Sequence, residues 1–196
     1  MKPRRLVESI RFRWAHVMTA WRALRMRIRG VTIRSPRVIG RGVALRWHDN
    51  PDHRGTLAFG ENVTLERGIV INTYGGDVRV GRDVHIGPYS VIYAHGGVEI
   101  GDDTLIAMHC CIAAANHNVP PMGVTIRSQP DVPAKISIGR DVWIGARVCV
   151  LAGVEIGDGC VVGAGSVVTI SLPTGAIAHG TPARVVAYRA GAGPGH

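Results

Sequence analysis

An aliphatic side chain returns at every sixth position through the second half of the chain: Ile138, Ile144, Val150, Ile156, Val162 and Val168. Four places after each of the first five stands a small or β-branched residue (Val142, Val148, Val154, Cys160, Ser166), and Gly follows the aliphatic in four of those five units. Upstream the same frame holds Val80, Ile86 and Ile92, slips by two, and resumes at Ile100, Ile106 and Ile112; Phe59, Leu65 and Ile71 follow it more loosely. A helix face would repeat its apolar positions at three and four, and a hairpin protein would alternate and turn about every ten residues. A period of six predicts short strands separated by tight corners. Three such units make one coil, and coils stack strand on strand at ~4.8 Å. Each coil then buries its aliphatic ladder only against its neighbours. The pattern predicts an all-β parallel solenoid.

Two segments fall outside the repeat. Residues 118–131 fit no hexad and must be ejected as a loop, a frequent home of function on a rigid scaffold. In residues 3–29, Val7, Ile10, Trp14, Val17, Trp21, Leu24 and Ile28 recur at helical spacing among arginines, and Gly30 can end the helix. The expected organisation is a basic amphipathic helix over 1–30, a solenoid over 31–186 and a flexible tail over 187–196. The helix can pack its apolar stripe on the solenoid or a sister subunit, or lie on an anionic membrane surface.

Charge is unevenly spread. Residues 1–48 hold 13 of the 23 Lys and Arg and a single acid, Glu8, whereas the rest of the chain has more acids than bases. That distribution, without a zinc-finger or RNP-type motif, argues against a nucleic-acid surface. No run nears the ~20 apolar residues of a membrane span, and the start of the chain lacks the features of a secretion signal. Cys110, Cys111, Cys149 and Cys160 show neither CxxC spacing nor the density of a disulfide scaffold, which suits reduced thiols in a cytoplasmic protein. Cys110 and Cys160 fall at inward positions, Cys111 and Cys149 at outward ones. At the edge of the ejected loop the hexad frame puts Asn116 inward, where a buried amide needs hydrogen-bond partners, and His117 outward beside it.

The hexads, followed by Gly180-Thr181-Pro182-Ala183-Arg184, resemble those of the hexapeptide-repeat acyltransferases, whose fold is a left-handed parallel β-helix. The resemblance covers roughly residues 59–186. Asn116-His117 at a coil end, a loop holding Ile126-Arg127-Ser128-Gln129, and Val142-Trp143-Ile144-Gly145 are similar to the maltose, galactoside and exopolysaccharide O-acetyltransferases. The resemblance implies His117 as catalytic base, steadied by Asn116, and the backbone N–H of Ala146 as oxyanion donor. It implies Trp143, Arg127 and Gln129 around the acyl and acceptor cleft. Acetyl-CoA would lie along Ala146, Ala164 and Thr169, with Arg184 on a CoA phosphate. It also implies a homotrimer with sites between subunits.

One imidazole suffices for such chemistry. Acetyl-CoA is already activated, so the enzyme need only take a proton from the attacking hydroxyl, and neutral imidazole (reference pKa ~6.5) suits that. No thiol nucleophile and no metal are expected. Other readings stay open: an amino-sugar N-acetyltransferase or antibiotic acetyltransferase on the same fold, a γ-carbonic-anhydrase-like metalloenzyme, or a non-catalytic solenoid. His85, His95, His109 and His117 lack the close His pair of that metalloenzyme. The basic helix suits an O-acetyltransferase of a sugar hydroxyl in surface polysaccharide, lipopolysaccharide or exopolysaccharide biosynthesis, cytoplasmic or peripheral on the inner face of the membrane.

Overall fold

The computed structural model describes residues 17–46 and 55–193; Val7, Ile10 and Trp14 of the apolar stripe lie outside them. The chain winds into a three-sided parallel β-helix in which every third strand pairs with its counterpart one coil away. The first side stacks Thr32–Ile33, Leu57–Phe59, Val78–Val80, Val98–Ile100, Ile136–Ile138 and Glu155–Ile156. The second stacks Val38–Ile39, Thr64–Leu65, His85–Ile86, Leu105–Ile106, Trp143–Ile144 and Val161–Val162, and the third runs from Ala44–Arg46 to Val167–Val168.

Register places one hexad aliphatic above another. Ile86, Ile106, Ile144 and Val162 form one ladder and Ile71, Ile92, Ile112 and Val150 another, all at most 1% exposed. The outward partners differ by side. The first side shows Arg79, Glu99, Ser137 and Glu155 in line; the second shows His85, Leu105, Trp143 and Val161; the third shows Val70, Val91, Cys111, Cys149 and Val167. Cys110 and Cys160 are core residues, and burial pushes both thiols up.

The Gly that follows most of these aliphatics is needed for a reason other than a left-handed turn. A Cβ on Gly145 would sit 2.6 Å from the Ala164 nitrogen of the next coil, so close approach of coils excludes a side chain there. The positive φ falls two residues later, at Arg147 (60°) in that corner.

Both ends of the stack carry added elements, as terminal coils of a solenoid commonly do. At the amino-terminal end a helix over 17–28 lies on the first coil through Ala23 and Met26. The Ile39 N–H donates to Thr19 Oγ1, Arg22 donates to the Ile39 carbonyl, and Arg27 Nε donates to the Ile33 carbonyl at 2.9 Å. At the other end Ala183–Tyr188 folds back antiparallel on Ala176–Gly180. That strand runs past residue 186, and Arg189 Nη1 meets Asp141 Oδ2 at 2.7 Å, so residues 187–189 belong to the fold and not to a loose tail.

Candidate active site

The chain leaves the solenoid at the corner between the third and first sides. Ala115–His117 goes out, Ile126–Ser128 makes a single 3-10 turn, and Asp131–Pro133 returns antiparallel to the outgoing strand. Ala114 is the last inward residue, and its carbonyl accepts both the Gly96 and the Ala134 N–H (3.0 Å each). Asn116 is therefore not the buried, inward amide of the hexad frame. It is exposed on the excursion, because the switch to antiparallel pairing begins at Ala115 and takes the next residues out of the ladder.

His117 stands opposite Asp131 in that pairing, and its Nδ1 is 2.7 Å from Asp131 Oδ1. A contact this short to a carboxylate makes Nδ1 the protonated nitrogen of the neutral ring, which turns the Nε2 lone pair outward. The His117 side chain is 74% exposed, so an incoming hydroxyl can reach it. Asp131 Oδ2 lies 3.6 Å from His95 Nε2 on the corner below. The His95 ring lies against Tyr74 (centroids 4.2 Å), and Tyr74 meets Tyr93 edge-on at 5.5 Å. An aromatic cluster thus reaches Asp131 through His95.

Asp131, Tyr74 and Tyr93 were not among the residues singled out from the sequence, and His95 entered there only among the histidines weighed for a metal. Asp131 became visible only through the strand pairing, the others only through the stacking of corners. Arg127 is exposed at the tip of the excursion, and the neighbouring Gln129 side chain donates to Ser128 Oγ at 3.2 Å.

The remaining candidates form a second group. Ala146 and Ala164 occupy the corner between the second and third sides on consecutive coils, joined by the Gly165 N–H donating to the Ala146 carbonyl (2.8 Å). Among the described residues the Ala146 N–H has no acceptor. Trp143 projects from the adjoining second side, 55% exposed, between Leu105 and Val161. Thr169 is exposed just beyond Val168, and Arg184, also exposed, donates to the Ala183 carbonyl on the closing hairpin. The full width of the third side, roughly 15 Å, separates the Ala146 corner from the His117 corner. One chain does not bring His117 and the Ala146 N–H together.

Cys111 and Cys149 pair on that third side, and desolvation raises the Cys111 thiol, which leaves it a poor nucleophile. Among the described residues no three His, Cys, Asp or Glu side chains converge to hold a metal ion.

Comparison with known proteins agrees with this architecture. Residues 135–169 match the model described as bacterial transferase hexapeptide (six repeats), and residues 77–113 match the hexapeptide repeat of succinyl-transferase. A probable acetyltransferase of Mycobacterium tuberculosis is 34% identical over 89% of this chain, which spans 58% of that protein's length. A protein of Escherichia coli named as an O-acetyl transferase of lipopolysaccharide biosynthesis is 36% identical over 67% of this chain and 71% of its own. The hexapeptide-repeat acetyltransferase of Vibrio cholerae, solved with acetyl coenzyme A, superposes with a TM-score of 0.59 at 29% identity, over 66% of this chain and 69% of that one. Repeat, coil and relatives agree, and the chain belongs to the hexapeptide-repeat acyltransferases, built on a left-handed parallel β-helix.

Proposed function

We propose that the protein transfers an acetyl group from acetyl-CoA to a sugar hydroxyl, in the making of a surface polysaccharide, lipopolysaccharide or exopolysaccharide. The observation that carries this reading is the His117–Asp131 pair, with Nδ1 held at 2.7 Å and the imidazole side chain largely exposed. Support for the donor and acceptor classes comes from the acetyl-CoA complex of the Vibrio relative and the lipopolysaccharide role named for the Escherichia one.

His117 Nε2 accepts the hydroxyl proton as the oxygen attacks the thioester carbonyl. Asp131 steadies the imidazolium so formed, acting through His117 as a positioning residue. The new oxyanion takes the Ala146 N–H, which needs no rearrangement to donate. Collapse breaks the C–S bond, the thiolate leaves, and the proton on Nε2 passes to it. Atoms balance without a covalent enzyme intermediate or a metal. Trp143 borders the acyl end, while Ala164, Thr169 and Arg184 follow the CoA arm.

Because the two groups occupy different edges of one prism, the working site is composite. The His117 excursion of one copy faces the Ala146 corner of the next, as a ring of three copies allows. Asn116, Arg127 and Gln129, all on the excursion, then border the acceptor.

Incubation of the purified protein with acetyl-CoA and a panel of sugars, nucleotide sugars and antibiotics tests this. Thiol release should accompany gain of an O-linked acetyl group on a sugar by mass spectrometry. An acetyl group found only on amines, or CoA release with no acetylated acceptor, would sink it.

A further inference from the structure

The helix over 17–28 has two faces, and only one is occupied by the solenoid. Ala23 and Met26 pack on the first coil. Val17, Trp21, Leu24 and Ile28, at steps of four, three and four, are 59, 50, 52 and 75% exposed, Trp21 standing at the rim of the cleft between helix and coil. This is the same apolar stripe that the helical spacing of the sequence marks out, so its burial is not supplied by its own chain's coils. An aligned apolar surface of this kind marks an interaction site.

Next to the stripe, between helix and first coil, lies a cavity of about 250 Å³. Ile39, Val43 and Leu45 supply apolar lining; Arg22, Arg25 and Arg29, on one flank of the helix, line it too. The Arg25 guanidinium lies 4.7 Å from the Trp21 ring centroid. Among the described residues no acid lines the cavity and none of the three arginines is ion-paired. The described part of this end is basic as well, since residues 17–46 hold no acid.

We infer that this end of the prism docks on an anionic phospholipid bilayer. Trp21, Leu24 and Ile28 enter the boundary between headgroups and acyl chains, and Arg25 and Arg29 meet lipid phosphates, one of which fits the mouth of the cavity. A flat helix with an apolar stripe flanked by arginines has the form of an interfacial anchor. Charge also decides against a two-fold pairing with a second copy, which would set the same arginines against one another. The surface stands at the end of the stack, apart from the edges that carry His117 and Ala146. The inference therefore holds whichever acceptor those edges take.

Co-sedimentation of the full-length protein tests it, using phosphatidylcholine vesicles, pure or mixed two to one with phosphatidylglycerol. The protein should pellet with the anionic vesicles and stay free of the neutral ones. Arg25→Gln with Arg29→Gln should weaken binding roughly tenfold or more, at about fivefold per basic residue near the surface. Leu24→Gln with Ile28→Gln should weaken it comparably, and both variants should keep the wild-type circular dichroism and oligomeric mass. Equal affinity for both vesicle types, no binding at all, or full binding by both variants would overturn the inference. So would a loss of oligomeric mass in the Leu24→Gln, Ile28→Gln protein with vesicle binding unchanged, which would give the stripe to another copy of the chain.

Discussion

His117 Nδ1 and Asp131 Oδ1 lie 2.7 Å apart across two antiparallel strands set into an otherwise parallel coil. The pairing fixes which nitrogen faces solvent and makes two separate predictions. His117→Ala should lower kcat roughly 10²–10⁴-fold with the fold and CoA affinity preserved; steady-state kinetics and CoA titration check both. Asp131→Asn should lower kcat roughly ten- to a hundredfold, in keeping with loss of one charge-assisted hydrogen bond. Its KM for acetyl-CoA should stay unchanged, and Asp131→Glu should restore part of the rate.

The distance between the two corners predicts complementation. His117→Ala lacks the proposed base, and Ala146→Pro lacks the proposed oxyanion donor. Pro88 already occupies the equivalent place after Gly87, so proline is compatible with this kind of corner. Each variant alone should be nearly inactive, and co-expressed chains should regain activity well above either parent. Activity that stays at the parents' level would put base and donor in one chain.

The aromatic cluster formed by Tyr74, His95 and Tyr93 predicts where an acceptor sugar rests. If the acceptor is a sugar, a pyranose ring can lay its C–H face on an exposed tyrosine of this cluster, which joins the His117 partner Asp131 through His95. Tyr93→Ala should raise the acceptor KM roughly 3–10-fold, the scale of one aromatic contact, with little change in the KM for acetyl-CoA. Initial-rate kinetics with each substrate varied in turn separates the two.

Acid should loosen the point where the excursion rejoins the coil. Lys135 Nζ donates to Glu99 Oε2 at 2.7 Å, and this bond, with Arg79 adding to it, holds the Glu99 carboxyl below its ordinary range. A carboxylate depressed in the folded state contributes stability above its unfolded pKa of ~4.3, and that contribution is lost as pH falls through the folded value. Both partners are substantially exposed, so the pair is worth at most about 1 kcal/mol, or roughly 2–4 °C in Tm. Wild type should exceed Glu99→Gln by that margin at pH 7, and the two melting curves should converge once the carboxyl is protonated.

The ladder of Ile86, Ile106 and Ile144 was legible because burial imposes a side-chain period that composition cannot hide. The excursion was not, since its geometry comes from backbone pairing between Ala115–His117 and Asp131–Pro133, which leaves no periodic trace. Counting hexads onward through Asn116 therefore put an exposed amide in the core. The cluster around His95 was hidden for a related reason: corners between the third and first sides vary in length, so residues that stack there keep no constant spacing. On the helix, the stripe from Val17 to Ile28 was visible, but the coil is met instead by Thr19, Ala23 and Met26, smaller and less regular in kind.

Arg79, Glu99 and Glu155 give the prism one salted flank, while the flanks bearing Leu105 and Trp143 or Val91 and Val167 are greasy. Copies that associate, as the proposed composite site requires, have a thermodynamic reason to hide the latter two and to leave the first wet. Such lopsidedness steers growth toward a closed cluster with its ionic walls outermost, and makes an open fibre, which would have to dry a charged flank at every joint, the costlier aggregate.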